Sequence, residues 1–589
     1  MTGRQWLVCG VLLALALAVP GSAPKREARA GGPPNPIFVD AGATGLNNGE
    51  TWVNALTNLQ TAFTMALDGT EIRVAGGTYY PGIDRFSTFQ LKNGVTIYGS
   101  FPPGGGEMSD RDLYDHPSIL SCEIMDPGTV EDDCYHVVTA SGVDATAVLN
   151  GFVIMGGNAN SSVSPDNRGG GIYNQGGSPT LVRLAIEHNN ATQGGGMYND
   201  GGAPSLTRVD FAFNEAHSGG AIMNSDCDLS LSGAFIEDNE AVYGGAIFNW
   251  LSDPDLEGVE IRVNDAMYGA GIWNAFSSPT LTHVDFEHNE ATHDGGGMHN
   301  EGGAPSLTAC SFVENSAENG GGIYSFDGMP RIFRTSFIRN SASLYGGGVY
   351  NMDSSAALIN VHFQGNDADL GGAVSIHGAS SSPLIANAAM VGNRARFGAA
   401  LESQGDNYVE LKNVTFVDNE ATQLGGGISA AMNSELYLAN TILWENLPDQ
   451  VDSCPVCPAN ITYSLVQGGC PLNSDCTGNL ITTNPGFLRN PYPGTDGTWG
   501  TPDDDYGDLS LHLVSPAIDA GNNAILPPDL PDLDDDGNFA EPLPRDIRME
   551  PRRHDVLFAA DTGAGSAPRV DMGAYEVWTT FIHLPLVRR

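Results

Sequence analysis

The chain has 589 residues, with 75 Gly and 35 Pro, and its 70 acidic and 26 basic side chains give a formal net charge of −44. A surface that acidic repels phosphate backbones and anionic lipid, which excludes nucleic acid as a partner. Beyond residues 6–19 no segment is apolar and long enough to cross a membrane, which excludes a transmembrane span in the mature chain.

Residues 1–30 read as a cleaved export signal: Arg4, a fourteen-residue apolar stretch at 6–19, and the Ala28-Arg29-Ala30 cleavage site. Export predicts a secreted, extracellular or cell-surface protein. Residues 36–168 read as an N-terminal cap, with a helical stretch near 53–67, followed by irregular strand coils. The cap is needed because the first coil of a stack presents an open strand edge.

From 169 to 445 the chain repeats. A Gly-Gly-Gly/Ala-aliphatic block stands at Gly169, Gly194, Gly219, Gly244, Gly269, Gly295, Gly320, Gly346, Gly371, Gly398 and Gly425, in steps of 25 to 27 residues. A second block places Asn at 189, 214, 239, 264, 289, 315, 340, 366, 393 and 419. Self-similarity of this kind marks a solenoid whose repeats stack only on their neighbours. Two or three adjacent small residues per repeat disfavour helix. In residues 205–213, Val209, Phe211 and Phe213 keep a period of two, with Leu206 out of phase; Val284, Phe286 and Leu281 behave alike. The chain is therefore expected to be all-β, a parallel solenoid of about 25 residues per coil. Eleven coils at ~4.8 Å make a rod on the order of 50 Å. The recurrent Asn is expected to point inward and bond to the Asn one coil away. The glycines suit a tight positive-φ corner, and Phe286, Phe312, Phe337, Phe363 and Phe416 are expected to stack in the core.

The two blocks together resemble the repeat of chlamydial polymorphic outer membrane proteins. Over residues 36–578 the chain is similar to the wider right-handed parallel β-helix, or pectin-lyase-like, superfamily. The outer membrane proteins end in an autotransporter barrel, and no run of amphipathic strands here could build one. The SPAIDAG segment at 515–521 and VDMGAYE at 570–576 resemble the choice-of-anchor Q region, so 481–578 is read as an acidic C-terminal region of that kind. The resemblance implies export and surface attachment. Residues 579–589 form a tail.

Cys122 and Cys134 are close enough to close a small loop. Cys454, Cys457, Cys470 and Cys476 fall in an excursion at 446–480 and suit two disulfides or a zinc site; export favours disulfides. Cys227 and Cys310 are expected to be buried free thiols.

The metal candidate is Asp532, Asp534, Asp536 and Asn538, with Gly537 between the last two. Alternating carboxylates before a Gly present oxygens to Ca²⁺, although the twelfth position is Leu543 and lacks the Glu of an EF-hand. No other cofactor is expected. Lyases and hydrolases of the resembled superfamily use clustered Asp with basic residues, and this chain has three Lys. Asn351-x-Asp353 and His377-Gly378 lack the Asp-Asp that the hydrolase pattern puts between them. His283, His288, His293 and His299 form the densest His group, beside Asp285, Glu287 and Asp294. His188 and His288 are four coils apart, ~19 Å at strand spacing. No residue is assigned a catalytic role. The expected function is noncatalytic adhesion or binding of polysaccharide or cell-surface components; the alternative is a polysaccharide lyase or glycoside hydrolase.

Overall fold

The computed structural model describes residues 35–124, 129, 131–471, 475–481, 483–556 and 559–578. The expected export signal at 1–30 and the tail at 579–589 lie outside the described residues.

The fold is all-β, a parallel β-solenoid of about 15 turns whose coils recur about 26 residues apart. Three parallel sheets run along it: a long one of 26 strands, a middle one of 14 and a short one of 8. The long sheet takes up two strand segments from many coils, such as Ser230–Ser232 and Phe235–Glu237. Between the segments sits one residue with φ near +50°, for example Arg208 (φ 54°) or His283 (φ 53°). That residue resets the alternation. Leu206 and Val209 therefore both face the core, as do Leu281 and Val284, and this is why the leucines read as out of phase. Phe213 is corrected by the same geometry: it occupies the next left-handed corner (φ 54°) and is 51% exposed.

The Gly block forms the corner between the short and middle sheets. Gly194 has φ +65°, and a Cβ there would meet Met197 O at 2.3 Å; a Cβ on Gly195 would lie 2.5 Å from Glu215 O on the next coil. The first glycine is required by conformation, the second by approach of the neighbouring backbone.

Asn189 to Asn446 form an unbroken buried ladder. In each rung the side-chain N–H₂ and the backbone N–H donate to one Oδ1 on the next coil, as for Asn214 to Asn239 at 3.0 and 3.0 Å. The same Nδ2 of Asn214 donates to Ile186 O at 2.8 Å, so the amide also closes a corner of the preceding coil. A second ladder, from Asn174 through Asn199, Asn224, Asn249 and Asn274 to Asn300, ends on Ser325 Oγ. Pairing of the amides makes such a core specific, since each unpaired group costs ~1–3 kcal/mol; Asn174 Oδ1, at the start of the second ladder, is one that stays unpaired. Phe286, Phe312, Phe337 and Phe363 stack at 4.4, 5.0 and 4.8 Å. Met390 occupies the next rung and separates Phe416 from that stack.

At the N-terminal end the helix is Leu59–Met65, capped by Asn58 Oδ1 accepting from Thr61 N at 3.0 Å. It is shorter than expected because Leu56 is held in a bridge to Val39. Its Leu59, Ala62 and Phe63 cover the first coils.

Past the last coils the chain returns. Residues 483–578 are mostly turns and lie along the outer face of the long sheet. Ala517, Ile518 and Met572 pack on Ile442 and Trp444, while Leu509 and Ala574 pack on Ala389, Val391 and Val417. Cys122 is bonded to Cys134, Cys454 to Cys457 and Cys470 to Cys476; Cys227 and Cys310 are free and buried.

Candidate functional site

Strands of the middle sheet, such as Met197–Asp200, alternate between the two faces of the sheet. Met197 and Asn199 face the core, and Tyr198 and Asp200 face outward, where neighbouring side chains cover Tyr198 to 3% exposure. One outward row therefore runs in register through Tyr173, Tyr198, Met223, Phe248, Trp273, His299, Tyr324 and Tyr350. The short sheet supplies Tyr243 and Tyr268 beside it. The Tyr243 ring lies 4.3 Å from that of Trp273 and 5.6 Å from that of Tyr268, and Phe248 stacks on Trp273 at 5.0 Å. Between the sheets is a groove of about 350 Å³ lined by Tyr198, Met223, Tyr243, Phe248, Trp250 and Trp273, with Arg168, Gln193, Ser218 and Ser225 as polar groups. The Arg168 guanidinium sits 4.9 Å over Tyr198. Trp250 is 42% exposed, and Phe276, 54% exposed and edge-on to it, extends the aromatic surface past the groove wall.

The row changes chemistry where it continues through Ser375, Glu402 and Ser429. His377 Nε2 lies 2.9 Å from Glu402 Oε2, Ser375 Oγ donates to the same oxygen at 2.8 Å, and Tyr350 OH lies 3.1 Å from His377 Nδ1. This Tyr–His–Glu chain escaped the sequence reading. Its signal was available: polar Ser375 and Glu402 replace an aromatic at the residue after the block's aliphatic. Glu402 is only 3% exposed, and burial pushes the Tyr350 phenol well above its ordinary value. Asn351 follows Tyr350 but is buried and faces inward, so it does not share the outer face with His377, whereas Asp353 N donates to His377 O at 2.9 Å.

The His group is dispersed. Spacings of five or six residues within one coil place its members around the perimeter. His283 sits at the long-sheet bend, His288 pairs with Glu314 (3.3 Å), and His293 pairs with Glu318 (3.0 Å). His299 is buried in the aromatic row, where desolvation lowers its pKa to about 3. His188 stacks on Phe213.

The acidic loop at 529–541 is pinched at its neck by Asp529 N donating to Glu541 O (2.9 Å) and by a bridge between Pro528 and Pro542. Oxygens of Asp532, Asp534 and Asp536 converge within 4.8 Å of one another; Asn538 instead turns its amide to Glu541 Oε2 at 3.4 Å. Oxygens of Asp529, Asp534 and Glu541 form a second such group. Glu541 is legible in the sequence as a nearby carboxylate, but Asp529 was missed because its approach depends on the neck.

The two C-terminal signatures interlock as a clasp. Asp571 accepts from Asp519 N (2.8 Å) and Val577 N (2.8 Å), and Glu576 accepts from Asp571 N (3.1 Å) and His554 N (3.2 Å). Arg552, fully buried, donates to Ala574 O (2.9 Å) and Gly573 O and faces Glu576. Burial pushes the Asp571 and Glu576 carboxyls up. These signature residues organise the backbone of the region.

No protein family matches the chain, and no curated protein matches it.

Proposed function

We propose that the chain is an exported, noncatalytic protein that binds neutral polysaccharide along the aromatic groove of its solenoid. The groove carries this reading. Sugar rings present apolar C–H faces that stack on Trp and Tyr, while their hydroxyls meet groups such as Arg168, Gln193, Ser218 and Ser225 at the edge. The formal charge of −44 disfavours acidic glycans. Resemblance to polymorphic outer membrane protein repeats and to the choice-of-anchor Q region, on a right-handed pectin-lyase-like solenoid, supports export and attachment at a cell surface.

A second reading, a polysaccharide lyase or hydrolase, draws on the Tyr350–His377–Glu402 chain. Two features weigh against it. The phenol is pushed away from the range of a general base, and Glu402 is covered and already engaged by Ser375 and His377.

Affinity electrophoresis in gels containing xylan, β-glucan or pectate tests the reading. The neutral polymers should retard the protein and pectate should not. Trp250→Ala should weaken retention by about tenfold or more. Release of unsaturated products or reducing ends from any polymer would replace the binding reading with the enzymatic one.

A further inference from the structure

The second carboxylate group of the acidic loop differs from an ordinary solvated turn. Asp529 is fully buried. Its Oδ2 accepts from Leu533 N at 2.8 Å, but its Oδ1 has no partner and no contact with solvent. Asp534 Oδ1 and Glu541 Oε1 are likewise shielded and unpartnered. These three side chains converge to within 4.8 Å, and the charged groups that act on Asp529 are Asp532, Asp534 and Glu541, all acidic. Residues 526–544 contain no Lys, Arg or His.

A buried carboxylate without a donor is costly, and three together repel one another. A bound cation removes both penalties at once. Only carboxylate oxygens are offered, and this is the ligand chemistry of Ca²⁺.

We propose that Asp529, Asp534 and Glu541 bind one Ca²⁺, which locks the C-terminal region onto the solenoid. The ligand set differs from the alternating run expected from sequence: it keeps Asp534, adds the residues at the neck and omits Asp532, Asp536 and Asn538. Leu533 lies between the neck and Asp534, and with Leu543 it packs on Phe333, Ile359 and Ala386 of the long sheet. Closing the loop around an ion therefore fixes the apolar contact that seats it. Without an ion, burial first and the neighbouring carboxylates second raise the Asp529 pKa to about 6. The site is independent of glycan binding, so failure of either reading leaves the other intact.

Calorimetric titration of the EDTA-stripped protein with CaCl₂ tests the proposal. One site is expected, weakened at least about tenfold by Asp529→Asn and by Glu541→Gln and by less than about twofold by Asp535→Asn, an acidic neighbour outside the group. Thermal unfolding gives a second readout with a change of sign. In EDTA, Asp529→Asn should be at least as stable as the parent, because it removes an unpaired buried charge; with Ca²⁺ the parent should be the more stable. Absence of binding at millimolar Ca²⁺, binding indifferent to Asp529→Asn, equal binding of Mg²⁺, or a variant less stable in EDTA would each overturn it.

Discussion

Between residues 169 and 330 the long sheet faces water; between 331 and 466 the same sheet lies under the C-terminal region. Equivalent positions show the difference. One outward row reads Thr207, Ser232, Glu257 and Thr282, then becomes Phe333, Ile359 and Ala386, all buried. Another reads Glu237, Arg262 and Glu287, then reaches Val391, Val417 and Trp444. At the bend, Arg183, Arg208, His283 and Arg334 give way to Asn360, Asn387, Asn413 and Asn440, which bond to one another. Asn360 also donates to Asp546 O (3.0 Å) and Asn387 to Arg545 O (2.7 Å), while Asn440 Oδ1 accepts from Asn522 N (2.7 Å). At the next corner, His188, Phe213 and His288 give way to Gly365 and Gly392, where a Cβ would strike Tyr506 and Trp499. The inner ladder is the same throughout. Inward positions thus specify the coil and outward positions specify what covers it.

That contrast is broken most sharply at the clasp. Arg552→Ala leaves Glu576 and Asp571 buried without their cation and should cost the covered half ~3–5 kcal/mol. The expected result is two unfolding transitions in a denaturant titration, with the solenoid persisting after the C-terminal region has gone. A single unshifted transition would sink the distinction. Next in size is Asn264→Ala in the inner ladder. It removes the acceptor of Asn239 (3.0 Å) and the donor to Asn289 (3.0 Å), orphaning buried groups for about 2–3 kcal/mol. Asn387→Ala in the outer ladder should cost only about 1 kcal/mol and show as faster proteolysis of the C-terminal region.

An effect of pH acts on both halves, and it sharpens the comparison by having opposite signs. His299 titrates near 6.5 when unfolded but at about 3 when buried, so the unfolded chain binds the extra proton and uncovered coils lose stability as pH falls below about 6.5. In the covered half the carboxyls of Asp519, Asp529, Asp571 and Glu576 are raised by burial, so there the folded state binds more protons and gains stability on acidification. His362, lowered to about 4, opposes them, but four carboxyls outweigh one imidazole. Hydrogen exchange in EDTA, taken from about pH 7.5 to about pH 5, should slow at the clasp and quicken around Trp273. Parallel changes at both places would contradict the assignment.

The coil was legible because its determinants are periodic. The Gly block and the Asn at 189 onward recur wherever the inside of a coil must be rebuilt. Asn174 and its successors stand within the quoted blocks, yet their ladder was not read, since an Asn after an aromatic resembles a turn residue. What remained hidden is nonperiodic. The Asn360–Asn440 series looks like ordinary variation until Asp546 and Asn522 are seen against it. Tyr350, His377 and Glu402 are separated by about a coil each. Asp529 becomes a candidate only when Leu533 and the neck seal it from water.

The glycine corner acts as a ruler. Three coils carry surplus as register shifts in the short sheet and its continuation, near Asp294, Tyr345 and Leu424, another carries it in the loop between His377 and Leu384, and the corner is unchanged. Duplication or loss of a whole coil would thus preserve every rung, with Asn meeting Asn and the groove merely longer or shorter. A partial coil would set each amide opposite the wrong row. In a lineage carrying this chain, the length of the solenoid can change only in units of one turn.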